Sequence, residues 1–114
     1  MNDRMSMAYR ECARWADGEA HEVPDDAPWS ADAFAESSGE CAEFVREAER
    51  SGLDLDAWDA AELGHCLWLS RNGHGAGFFD RDLPHADALQ ELARGFGERA
   101  MYLGDDGQVY FFGG

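Results

Sequence analysis

The sequence predicts an α+β domain in the order ααα-ββ-α-ββ. Three observations predict it. Apolar residues recur at helical spacing over residues 3–16 and again over 31–51. Two turn signals, Asn72-Gly73 and Asp106-Gly107, each lie between apolar runs, and this pattern marks β-hairpins because both positions tolerate φ > 0. One further amphipathic segment separates the two. Helices segregated from hairpins imply an antiparallel sheet. A chain of 114 residues fits one domain with one core. It divides into an acidic helical part, 1–63, and a hairpin-helix-hairpin part, 64–114.

The first helix is expected over Asp3 to Ala16, with Met5, Ala8, Tyr9, Cys12, Ala13 and Ala16 on its apolar side. Asn2 or Asp3 caps its start and Gly18 follows its end. Residues 18–29, with Pro24 and Pro28, read as a loop. The second helix starts after the N-cap Ser30 and runs to about Ser51, with Gly52 as its stop. Phe34, Cys41, Phe44, Val45 and Ala48 form its core side. Ser37-Ser38-Gly39 weakens its middle, since Gly costs about 1 kcal/mol relative to Ala there, so a kink or a split is expected. A short third helix covers Asp54 to Leu63, burying Leu55, Trp58 and Ala61.

The stretch Gly64 to Pro84 is expected to be the central hairpin, with Cys66-Leu67-Trp68-Leu69 and Ala76-Gly77-Phe78-Phe79 as its strands. A helix then follows Pro84, which suits a first turn. Its apolar face is Ala88, Leu89, Leu92, Ala93 and Phe96, and Gly97 ends it. Ala100 to Leu103 and Gln108 to Phe112 form the last hairpin. Phe111 and Phe112 are adjacent, so alternation turns one of them outward and makes this strand a docking or self-association candidate.

Charge sets the functional expectation. The net charge is −15, and all nine basic residues are arginine. Residues 1–63 carry −12 of it and residues 64–114 carry −3. Such a field repels nucleic acid and anionic lipid and steers the protein towards basic surfaces. No arginine lies between Arg14 and Arg46, a gap that holds Asp17, Glu19, Glu22, Asp25, Asp26, Asp32, Glu36, Glu40 and Glu43. In the second helix, Asp32, Glu36, Glu40, Glu43 and Glu47 are spaced 4, 4, 3 and 4 apart. That spacing places them on one face, about 6 Å apart along the axis. A solvated helix face explains such a row, but its like-charge pairs each cost a few tenths of a kcal/mol. Repetition of that cost suggests a use: a carboxylate row resembles a run of phosphates in charge and spacing. These nine acids, Glu19 to Glu47, are the expected partner-binding residues.

Other chemistry is poorly supported by spacing. His65, Cys66, His74 and His85 match no metal-ligand pattern, and neither a metal nor a cofactor is expected. Cys12, Cys41 and Cys66 are an odd count without a close pair, which argues against a disulfide framework and for buried thiols. Ser70 or Cys66 with His74 and Asp80 is a conceivable nucleophilic group, and Arg71, His74 and Asp80 would centre an enzyme reading. Gly73-x-Gly75-x-Gly77 precedes no helix, so it lacks a phosphate site's helix N-terminus. Arg71 and Arg81 are expected to pair with nearby acids. No run approaches the roughly 18 apolar residues of a membrane span, and the N-terminus has no signal-peptide core. A soluble, cytoplasmic protein is expected.

The segment Gly64-His65-Cys66-Leu67-Trp68-Leu69-Ser70-Arg71-Asn72-Gly73-His74-Gly75-Ala76-Gly77-Phe78-Phe79-Asp80-Arg81 resembles a signature in a family of small acidic proteins encoded by bacteriophages. The closing segment from Tyr102 to Tyr110 is similar to that family's ending. This chain departs from the family in its heavier load of N-terminal acids. The resemblance implies a phage protein acting inside a bacterial host and supplies no catalytic residues. By analogy with acidic phage proteins that mimic nucleic acid, it implies a non-enzymatic inhibitor of the anti-CRISPR kind. Its partner would be the basic groove of a host CRISPR effector complex. The alternative expectation is a phage interaction protein that dimerises through its hairpin and C-terminal strand.

Overall fold

A computed structural model describes residues 2–113 and is α+β, with four helices followed by one antiparallel hairpin. The helices are α1 (Asn2–Asp17), α2 (Ala31–Arg50), α3 (Ala60–Arg71) and α4 (Ala86–Gly95). A single 3-10 turn, Phe78–Asp80, lies between α3 and α4. The strands are β1 (Arg99–Leu103) and β2 (Val109–Gly113), paired from Arg99↔Gly113 to Leu103↔Val109.

The expected central hairpin does not form, and this is the main correction to the predicted order. Gly64 to Arg71 is the greater part of α3, and every residue of it except His65 is buried. Asp59 starts this helix six residues later than the third helix was expected, its carboxylate accepting from the Ala61 N–H at 3.1 Å. A helix buried on nearly all sides shows no amphipathic period, so its apolar run reads equally as a buried strand. The Asn72-Gly73 signal also has a second meaning. Gly73 adopts φ +71°, its N–H bonds Ser70 O at 3.3 Å, and the His74 N–H bonds Leu69 O at 3.1 Å. This is the paired hydrogen-bond pattern that closes a helix on a left-handed glycine. Both a hairpin turn and a helix stop require φ > 0, and here the helix takes it.

The other boundaries follow local chemistry. α1 starts at Asn2, so Asp3 lies in its first turn rather than capping it. The Ser30 hydroxyl accepts from the Ala33 N–H at 3.0 Å, as an N-cap should. α2 runs as one helix through Ser37-Ser38-Gly39 and is not split into two. Ser37 is buried there, and its hydroxyl donates to Phe34 O at 3.0 Å and accepts from Arg10 at 2.8 Å. Tertiary contact thus outweighs the weak local propensity. Phe34 is not on the core side, but 53% exposed beneath the Arg10 guanidinium. His85, in a left-handed conformation, precedes α4, with Pro84 one residue earlier.

α1 and α3 are in close backbone contact at Gly64, where a Cβ would sit 2.0 Å from Met5 O. Against this pair lie α2, α4 and the inner face of the hairpin. Tyr9 of α1, Trp68 of α3 and Phe111 of β2 meet with ring centroids 5.4 to 6.2 Å apart. A second aromatic group joins Phe44, Phe78 and Trp58 at 5.3 and 5.4 Å. β2 also meets the end of the 18–30 loop, where Val109 N–H donates to Pro28 O and Ser30 N–H to Val109 O.

Candidate binding surface

The nine acids predicted to bind a partner divide into two sets. Glu36, Glu40, Glu43 and Glu47 each meet an arginine of the same chain. Glu43 pairs with Arg46, Glu47 with Arg50 at 3.1 Å, and Glu36 with Arg99. Glu40 is drawn inward, with its side chain 19% exposed, and accepts from the Tyr9 hydroxyl at 2.7 Å and from Arg71 Nη1 at 3.2 Å. Its other oxygen is 3.2 Å from Arg99 Nε. Helical spacing placed these residues correctly on one face. It carried no information about the arginines that arrive from α3 and β1, so the continuous free ridge is a local reading that tertiary structure revises.

Glu19, Glu22, Asp25, Asp26 and Asp32 form the other set. All five are exposed, and none has a cationic partner among the described residues. The loop that carries four of them is tied down from below. Arg14 donates to Pro24 O at 2.8 Å, Asp25 O at 3.0 Å and Ala27 O at 2.7 Å, and its guanidinium lies 4.8 Å from the Trp29 ring. Val23 and Ala27 are buried in the core. Glu22 has φ +58°, which is uncommon for a side chain without Gly, Asn or Asp character. A basic residue thus serves the backbone carbonyls, and the carboxylates project into solvent.

Arg71 is the internal hub. Its side chain is 3% exposed. Besides Glu40, it donates to the Tyr9 hydroxyl at 3.0 Å, Phe96 O at 2.9 Å and Gly97 O at 2.8 Å. The last two carbonyls follow the C-terminus of α4, where a cation is favoured. Burial raises the Tyr9 phenol well above its usual range; Arg71 opposes this and Glu40 adds to it.

The residues considered for catalysis are held in separate interactions. Arg71 is in the core network, His74 Nε2 lies 3.0 Å from Asp17, and Asp80 pairs with Arg81. Asp17 also accepts from Trp68 Nε1 at 2.6 Å. The Ser70 hydroxyl donates to Gln90 at 2.6 Å and accepts from the Phe78 N–H at 3.0 Å, so it is used in packing the 72–77 loop against α4. Cys12, Cys41 and Cys66 are free and buried. Burial pushes their thiols up to about 12, 12 and 11 respectively, away from the reactive thiolate. His65 lies 5.8 Å from the Trp15 ring, and burial lowers its affinity for a proton, with Arg81 contributing. Among the described residues no group of three His, Cys, Asp or Glu side chains could hold a metal ion, and no helix is long and apolar enough to cross a membrane.

The hairpin supplies a feature that alternation did foretell. Phe111 points inward at 6% exposure and Phe112 outward at 52%. No family model, curated protein or solved structure matches this chain.

Proposed function

We propose that this is a non-enzymatic binding protein whose acidic surface docks on the basic, nucleic-acid-binding groove of another protein and keeps nucleic acid out. The observation that supports the reading is where the arginines go. Eight of the nine are engaged by the chain's own carboxylates, carbonyls, hydroxyls or rings. Among the described residues only Arg94 has no such bond or ion pair. Glu19, Glu22, Asp25, Asp26 and Asp32 are left without neutralisation on an anchored loop and the following helix start. They act as phosphate surrogates for arginine and lysine of the partner, and a CRISPR effector complex is the partner that the phage resemblance implies.

The test is binding to purified effector complexes over a salt series, with DNA as competitor. Binding is expected to weaken steeply with salt, as exposed charge pairs are screened beyond about 8 Å at physiological ionic strength, and to be displaced by DNA. A variant with Asp25→Asn, Asp26→Asn and Asp32→Asn should lose binding and keep its helical circular dichroism. Unchanged binding by that folded variant would sink the reading. Glu36 and Glu40 do not suit this experiment, because arginines of the same chain already neutralise them.

The second reading is a homodimer; the Gly64–Pro84 hairpin expected to take part in it does not form, and the C-terminal strand remains, favoured by the exposed outer face of Tyr102 and Phe112. It brings together two copies of charge −15. Light scattering separates the readings: a stable dimer dispersed by Phe112→Asp supports this one.

A further inference from the structure

The outer face of the β1–β2 hairpin is an aromatic platform with a charged edge. Tyr102 stacks on its cross-strand neighbour Tyr110, with centroids 5.3 Å apart and planes 15° apart, and Phe112 leans on Tyr102 at 5.6 Å. Tyr102 is 43% exposed. The platform is held in place from its own turn. The Tyr110 hydroxyl donates to Asp106 at 2.6 Å. Gly104 leaves room for the ring, since a Cβ there would meet Tyr110 Cε1 at 2.6 Å. Asp106 also accepts from the Gln108 N–H at 3.0 Å. The Tyr110 hydroxyl and then this backbone donor hold its carboxyl below the usual range.

Elsewhere the chain repeatedly satisfies arginine with this kind of surface. Arg10 lies over Phe34 at 3.8 Å, Arg71 over Phe96 at 5.6 Å and Arg99 over Phe111 at 5.4 Å. Arg71 and Arg99 also reach carboxylates. The outer hairpin face has rings and the Asp106 carboxylate, but among the described residues no arginine lies over it.

We propose that this face binds an arginine side chain presented by a basic partner protein, the guanidinium lying over the exposed rings of Tyr102 and Phe112 and reaching Asp106. This rests on the reading that the partner is basic, and it adds which cation is selected and where. A planar guanidinium stacks on rings and forks to carboxylates, whereas an ammonium is a compact, strongly hydrated charge. A second copy is the poorer occupant, because it brings like charge: each chain carries −15.

The experiment titrates the full chain with hexaarginine and with hexalysine peptides, read by calorimetry and by the ring-proton shifts of Tyr102 and Phe112. Hexaarginine is expected to bind about two- to fivefold more tightly than hexalysine, the scale of one exposed cation–π contact. Tyr102→Ala and Phe112→Ala should abolish that preference and leave hexalysine affinity unchanged. Tyr102→Phe should keep it, which separates a stacking role from a general loss of structure. Equal affinity for the two peptides overturns the arginine site while leaving the basic-partner reading intact. Failure of both peptides to bind at low salt overturns both. A dimer dispersed by Phe112→Ala, with no shift of the rings on adding peptide, overturns the proposal in favour of self-association.

Discussion

Arg71 Nη1 stands 3.2 Å from Glu40 Oε1, with the Tyr9 hydroxyl within hydrogen-bond reach of both. The pair joins α3 to α2 through α1, and the same guanidinium holds the chain just beyond α4. Removing Arg71 leaves Glu40 only Arg99 and the Tyr9 hydroxyl, and takes the donors from the Phe96 and Gly97 carbonyls. Arg71→Met should therefore cost about 3–5 kcal/mol. Urea unfolding monitored by circular dichroism checks this. A loss no larger than that of Arg46→Met, at a solvent-exposed pair, would show that the network contributes little.

Two helical glycines should respond in opposite ways. Gly64→Ala drives a methyl group into Met5 O and should destabilise by about 1–3 kcal/mol or more, as overpacking does. Gly39→Ala meets nothing within 4 Å on α2 and should stabilise by about 1 kcal/mol from helix propensity. Thermal unfolding of the two variants side by side measures the contrast.

The adjacent phenylalanines of β2 should differ equally clearly. Phe111→Ala empties a site between Tyr9, Trp29 and Trp68 and should cost about 3–5 kcal/mol. Phe112→Ala should change stability by less than about 0.5 kcal/mol. The unfolding midpoints report both values. Dimerisation is accordingly tested at the outward Phe112 and not at the buried Phe111.

Alkaline pH should weaken the fold. Burial raises the Cys12, Cys41 and Cys66 thiols to about 12, 12 and 11, above the roughly 8.5 of an unfolded thiol. Below that value both states hold the proton and no stability is lost. Above it the unfolded chain releases protons that the folded chain keeps, so stability falls as pH rises towards 11 to 12. Each raised unit corresponds to about 1.4 kcal/mol. Urea midpoints between pH 8 and 10.5 should decline, and a triple Cys→Ala variant should show a smaller decline.

Where local chemistry decides, the sequence was legible. Ser30, Gly52 and Gly97 mark helix ends by capping or positive φ, and the Asp106-Gly107 turn forms the hairpin it signals. The period of α1 gave Met5, Tyr9, Cys12 and Ala13 as its buried side. α3 was misread because a helix surrounded by protein has no polar face to reveal its period, and because Gly73 satisfies either a turn or a helix stop. The candidate surface was legible in composition and only partly in position. Glu36 and Glu40 share a helix face with Asp32, but Arg71 and Arg99 reach them from sequence distances that no periodic pattern encodes.

The sequence by itself therefore determined an acidic α+β chain, most of its helix ends, its C-terminal hairpin and the inventory of carboxylates. Tertiary structure decided that Gly64 to Arg71 is a buried helix, and which carboxylates are neutralised. The physical reason is range. Caps, turns and periodicity act within a few residues, whereas burial and ion pairing depend on which distant segments the fold brings within a few ångströms.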